Sequence, residues 1–228
     1  MDLLLSSWLG SLAGMRHALE PDHLAAVTTL LSRERSSARA AWLGVSWGLG
    51  HTLALVGVAA AVMLVRSELP HAATEAFELL VAMMLVGLGV RALRQAARQG
   101  PMGPARLHRH GRIIHQHAGV TSHVHLAGWT LARRPLVIGL LHGLAGSGTL
   151  TALVLATMSS PVMQLAYVVL FGLGSTLGMA ALSGLLGWPL ARFGHHHAVA
   201  RVVSLTVGAV STVLGVAWGY PIVARVLG

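Results

Sequence analysis

Long apolar runs dominate this sequence, and they constrain its fold more than any other feature. A helix needs about 20 mostly apolar residues to cross the hydrocarbon core of a bilayer. Six such runs are present, at roughly 3–31, 41–65, 76–93, 135–158, 163–187 and 202–226. Only 10% of the residues are charged, whereas a soluble domain carries about 25%. The sequence therefore predicts an all-α integral membrane protein with six transmembrane helices.

The arginines are distributed unequally among the loops that connect these runs. All sixteen basic residues are arginine, and thirteen of them lie in or beside the first, third and fifth loops. Arg66 and Arg225 lie on the other side, and Arg16 lies within the first run. Because basic loops stay in the cytoplasm, we expect the loop at 94–134 inside the plasma (inner) membrane and both termini outside. The net charge is +9, but the arginines lie between the apolar runs and form no basic face of a soluble fold. This distribution excludes nucleic acid as a partner.

The two halves of the chain resemble each other. Three segments recur in order at offsets of 124 to 126 residues: 14–19 with 139–144, 47–53 with 171–177, and 88–90 with 214–216. Each half holds three predicted spans, and this odd number would insert the second half in the opposite orientation. Inverted repeats are typical of transporters, which bind substrate near the middle of the membrane. We therefore expect one transport domain of two inverted three-helix repeats, about 1–93 and 135–228, joined by the loop at about 94–134.

The first run contains an unusual group of ionisable residues at 16–23, where the sequence reads RHALEPDH. Such residues are costly inside a membrane and usually functional. Pro21 lacks an N–H group and clashes with the carbonyl of His17, so the helix should kink or break there. A break would bring His17, Asp22 and His23 around one ion. Imidazole and carboxylate ligands suit nickel, cobalt and zinc, so the segment predicts a metal site.

Other ionisable residues inside the spans have both a structural and a functional interpretation. Arg16 and Glu20 are four residues apart, and we expect them to form a structural ion pair. His51 would complete the shell of metal ligands, although a helical histidine can also be a hydrogen-bonded packing residue. His142 occupies the position of His17 in the second half, which has no equivalent of the aspartate or of the second histidine. It is a further candidate ligand with the same structural alternative.

The central loop contains three His-x-His pairs: His108 and His110, His115 and His117, and His123 and His125. Alternate side chains of an extended chain share a face, so each pair can chelate a metal ion. A second cluster, at 195–197, lies on the same side of the membrane. Because the loop lies outside the spans, we expect it to buffer or sense metal. A solvated basic loop is the alternative.

The spacing His17-x4-Asp22-His23 resembles the H-x4-D-H signature of the nickel/cobalt transporter family. Gly50-His51-Thr52 is similar to the motif of that family's next helix, and 140–148 resembles the shorter, urease-accessory-type nickel permeases. The resemblance covers most of the chain except the central loop. It implies a permease, not an enzyme, that takes up nickel first and cobalt second as its substrate and has no prosthetic group.

Three other functions are compatible with the same residues. An efflux permease for nickel or cobalt would share the fold and the site. A membrane enzyme with histidine boxes needs histidine clusters at helix ends, whereas His17, His51 and His142 lie inside the predicted spans. A haem-binding electron carrier would use two intramembrane histidines.

The chain has no cysteine for thiolate ligands. It also lacks a Walker-type phosphate loop, so a gradient or a partner must drive transport.

Overall fold

The computed structural model describes seven helices and two short β-hairpins. The described residues are 3–31, 34, 36–65, 70–97, 107–110, 113–116, 124–126, 129–131, 133–144, 160–193 and 197–227. The helices are α1 (Leu3–His17), α2 (Pro21–Leu31), α3 (Ser37–Val65), α4 (His71–Ala97), α5 (Arg133–Gly143), α6 (Pro161–Phe193) and α7 (His197–Leu227). The antiparallel hairpins pair β1 (Leu107–His110) with β2 (Ile113–Gln116), and β3 (Val124–Leu126) with β4 (Trp129–Leu131).

The prediction of an all-α fold with six transmembrane helices in two inverted three-helix repeats is wrong. Seven helices are described, and four of them, α3, α4, α6 and α7, are long and apolar enough to cross a membrane. The run at 3–31 is divided between α1 and α2, with 15 and 11 residues, and each is shorter than the roughly 20 residues of a span. The run at 135–158 is helical only as far as Gly143 in the described part of the chain, because 145–159 lies outside it.

The division of the first run follows from Pro21. The last residue of α1 is His17, and its carbonyl accepts a hydrogen bond from the Glu20 N–H at 3.0 Å. The Glu20 carbonyl then accepts a bond from Leu24 N–H at 2.9 Å, which begins α2. Proline suits the first turn of a helix, where its missing N–H would have no helical partner. The break expected from the sequence is therefore confirmed.

Small residues let α3 and α6 pack closely, as is common between membrane helices. A Cβ added to Gly48 would overlap Thr176, and a Cβ added to Gly172 would overlap Thr52. The hydroxyls of Thr52 and Thr176 are 3.0 Å apart, and these residues are separated by 124 positions. Gly48 and Gly172 are separated by the same number, so the contacts are reciprocal between the two halves of the chain.

Glycines also bring α3 and α5 together. Gly50 lies against the backbone carbonyl of Leu136, and Gly139 lies against that of Trp47. These contacts leave no space for a side chain at either glycine. They matter for the site described below, because α3 and α5 carry His51 and His142.

Replacing Gly50 by alanine should destabilise the fold by about 1–3 kcal/mol, the usual cost of overpacking. The added Cβ would overlap the carbonyl oxygen of Leu136. Gly57→Ala is the matched control on the same helix, since nothing lies within 4 Å of its added Cβ. Alanine also has the higher helix propensity, so this control should be neutral or stabilising. Thermal denaturation of the detergent-purified protein measures both, and equal midpoints would contradict the close approach of α3 and α5.

Candidate metal site

Four helices bring the five intramembrane residues of the predicted site together. His17 ends α1, Asp22 and His23 lie in the first turn of α2, His51 is in α3, and His142 is near the end of α5. All five are buried, with at most 6% of their surface exposed. The break between α1 and α2 lets the first three point toward the residues of α3 and α5.

The site lies halfway along a helix of membrane-spanning length. The helix α3 has 29 residues from Ser37 to Val65, so His51 is its midpoint. At about 1.5 Å per residue, His51 is about 21 Å from each end of the helix. The residues that meet His51 are therefore placed near the middle of this span.

Three imidazoles converge at this depth. One ring nitrogen from each of His17, His23 and His51 lies within 4.8 Å of the other two. The ring centroids are 4.5 Å apart for His17 and His23, 5.2 Å for His17 and His51, and 5.4 Å for His23 and His51. Both nitrogens of His17 and of His51, and Nε2 of His23, lack a hydrogen-bond partner among the described residues. Buried polar groups without a partner are costly, so this trio has the donor set that a metal ion requires.

Asp22 links the trio to His142. Its Oδ1 is 3.1 Å from His23 Nδ1, and its Oδ2 is 2.6 Å from His142 Nε2. A carboxylate that holds one nitrogen of a histidine orients the ring and leaves the other nitrogen for a metal. Asp22, His23 and His142 also form a second group with ligand atoms within 4.8 Å. His23 belongs to both groups. Asp22 can therefore either orient the His23 ring or bind the same metal ion as His23.

Aromatic side chains lie against the histidines. The ring centroid of Trp47 is 5.5 Å from that of His23 and 5.7 Å from that of His142. The ring centroids of Phe171 and His17 are 5.3 Å apart. Trp47 and Phe171 belong to two different clusters of buried apolar residues. The site is thus bordered by apolar surface, which strengthens the electrostatic interactions within it.

The predicted ion pair between Arg16 and Glu20 is wrong. Glu20 Oε2 lies 3.0 Å from His17 Nδ1 instead, and Arg16 takes part in none of the ion pairs between described residues. Residues four apart meet only within one continuous helix, and α1 ends at His17. The sequence did contain the signal for this position of Glu20, because the break at Pro21 interrupts the helical spacing.

The loop between α4 and α5 carries the second predicted group of metal ligands. Four of its six histidines lie in strands: His108 and His110 in β1, His115 in β2, and His125 in β3. His108 and His115 are paired across the first hairpin. His117 and His123 lie outside the described residues. Metal binding by this loop stays a prediction.

Comparison with known proteins identifies relatives of the chain. No protein-family model and no solved structure matches it. The chloroplast protein FOR GROWTH AND FERTILITY 1 of Arabidopsis thaliana is 34% identical over 96 residues, which cover 41% of this chain and 26% of that protein. The urease accessory protein UreH of Bacillus sp. (strain TB-90) is 30% identical over 221 residues, which cover 96% of this chain and 92% of that protein.

The match to UreH extends over nearly the whole of both proteins. Four helices have the length and apolar composition of membrane spans, which makes the chain a multi-pass membrane protein. The identity and coverage together show that the chain belongs to the family of the urease accessory protein UreH.

Proposed function

We propose that this protein is a permease for a divalent transition metal ion, with nickel as its first substrate and cobalt as its second. The observation that carries the proposal is the trio of His17, His23 and His51. It is buried near the midpoint of a helix of spanning length, and five of its six ring nitrogens lack a hydrogen-bond partner among the described residues. Imidazole suits late first-row metals, whereas magnesium and calcium prefer oxygen ligands.

The charges at the site fit an ion that must bind and also leave. Imidazole ligands bind metal in their neutral form, so the trio contributes donors without charge. Asp22 adds one negative charge, held in place by His23 and His142. A divalent cation would therefore exchange its water for nitrogen ligands while only part of its charge is neutralised. Permeation requires this balance, because binding that is too strong prevents release.

The family relationship supports the same substrate. The relative that matches along nearly the whole chain is named a urease accessory protein. This name agrees with the urease-accessory-type nickel permeases, which the segment 140–148 resembles. Uptake across the plasma (inner) membrane is the direction that we propose.

Flux of radioactive nickel and cobalt into cells with and without the protein tests this function. We expect saturable accumulation of nickel that depends on the protein, slower accumulation of cobalt, and no competition by excess magnesium, which prefers oxygen ligands. Lower accumulation in cells that contain the protein would favour the efflux permease over uptake. Equal accumulation in both kinds of cell would contradict transport of these metals.

For the orientation, we propose that the loop at 94–134 lies in the cytoplasm. The unequal distribution of arginine supports this arrangement, with thirteen on the side of the loop. A reporter protein fused near Gly119 should give a cytoplasmic signal. A signal from outside the cytoplasm at this fusion would contradict the orientation.

We propose that the histidines of the central loop buffer or sense metal and are not needed for permeation. Replacing all six by alanine should leave nickel flux at high metal concentration within about twofold of the original rate. The ligands of the permeation site and the partners that orient them, each partner worth roughly 10–100-fold, are unchanged. Initial rates in proteoliposomes measure this effect. Complete loss of flux would show that the loop is part of the pathway.

A further inference from the structure

Glu20 occupies the turn between α1 and α2, and its backbone is held on both sides. Its N–H donates to the His17 carbonyl, and its own carbonyl accepts from Leu24 N–H. The side chain turns back toward His17 and is 42% exposed, whereas the His17 side chain is 4% exposed. Glu20 is therefore a partly exposed carboxylate in contact with a buried residue of the candidate metal site.

The depth of Glu20 makes its exposure informative. Its Oε2 is 3.0 Å from His17, whose ring centroid is 5.2 Å from that of His51 at the midpoint of α3. A charged group at this depth faces the protein interior or a water-filled cavity, because lipid disfavours it. Leu53, two residues from His51, is 60% exposed and has the apolar side chain expected against lipid.

The distance between Glu20 and His17 is compatible with two ligands of one ion as well as with an ion pair. The two atoms are 3.0 Å apart, yet His17 Nδ1 has no hydrogen-bond partner among the described residues. Two ligand atoms bound at about 2.1 Å and at right angles to one another, as in square-planar nickel sites, are about 3.0 Å apart. His17 Nε2 also lacks a partner within the described part of the chain. One nitrogen can thus face Glu20 while the other remains for the buried trio.

We propose that Glu20 and His17 form an outer binding position, open to water, through which the metal ion enters the buried site. The inference rests on the proposed function, and it adds a residue to the pathway. The carboxylate attracts the divalent cation from water and binds it together with His17 Nδ1. His17 belongs to both positions, so the ion can pass from its Nδ1, beside Glu20, to its Nε2, which is left for the trio with His23 and His51.

Thiol labelling tests whether Glu20 faces water. The chain has no cysteine, so Glu20→Cys and Leu53→Cys each introduce a unique thiol at similar depth. A charged thiol reagent should label Glu20→Cys in membranes and leave Leu53→Cys unlabelled. An unlabelled Glu20→Cys, or equal labelling of the two variants, would overturn the proposal. This readout does not depend on transport, so it is interpretable even if nickel flux is absent and the proposed function fails.

The kinetics of nickel flux test the role of the carboxylate. Glu20→Gln should raise the nickel concentration for half-maximal flux by about tenfold, the lower range for loss of a metal-site partner, and should leave the maximal rate unchanged within about twofold. Glu20→Asp should restore part of the apparent affinity. Glu78→Gln, which removes a carboxylate from α4, is the matched control and should match the original protein. An unchanged half-saturating concentration in Glu20→Gln, or a loss of maximal rate alone, would overturn the proposal.

Discussion

Replacing Asp22 by asparagine should lower the maximal rate of nickel flux by about 10–100-fold or more, the range for losing a partner of a metal ligand. Asparagine keeps the size of the side chain and removes its negative charge. One of the two oxygens that hold His23 and His142 also becomes an NH2 group, which cannot accept a hydrogen bond. Initial rates in proteoliposomes, normalised to the amount of inserted protein, measure the effect.

Glu78→Gln is the control for Asp22→Asn, because it also neutralises one carboxylate in the membrane-spanning part of the chain. We expect this control to transport at the original rate, since Glu78 lies in α4 and belongs to neither group of ligand atoms. Normal transport by Asp22→Asn at limiting nickel would show that the site has been assigned to the wrong carboxylate.

Replacing His51 by alanine should weaken equilibrium nickel binding by more than about 100-fold. Loss of a residue that only hydrogen-bonds to a metal ligand already lowers metal affinity by up to about 100-fold. His51 supplies one of three converging nitrogens, and it has no described hydrogen-bond partner that would give it another role. His71→Ala is the control, since the His71 side chain is 85% exposed at the start of α4. Titration calorimetry on protein without the six loop histidines measures both variants. Equal affinities for the two would contradict a ligand role for His51.

The sequence was most informative about the residues around Pro21. Proline imposes a local constraint that does not depend on the rest of the fold, so the division into α1 and α2 was predictable from one residue. The cost of ionisable groups in a membrane likewise singled out His17, Asp22 and His23. The structure brings these residues next to His51 and His142. That they bind a metal ion stays a prediction.

The same sequence was less informative where an interaction depends on distance across the fold. The link from Asp22 to both His23 and His142 depends on the approach of α5 to α3, which several glycines permit. The pairing of Glu20 was predicted wrongly because helical spacing was applied across a break. The six-span prediction was wrong for a related reason, since apolar length alone does not distinguish one helix from two short ones.

X-ray absorption at the nickel edge tests the central claim most directly. The protein should first lose the six loop histidines and the cluster at 195–197, so that bound nickel reports on the intramembrane site. We predict one nickel ion per chain with a spectrum typical of imidazole ligands, and loss of that ion when His17, His23 and His51 are replaced by alanine. The same stoichiometry and spectrum after this triple replacement would contradict the assignment of the site.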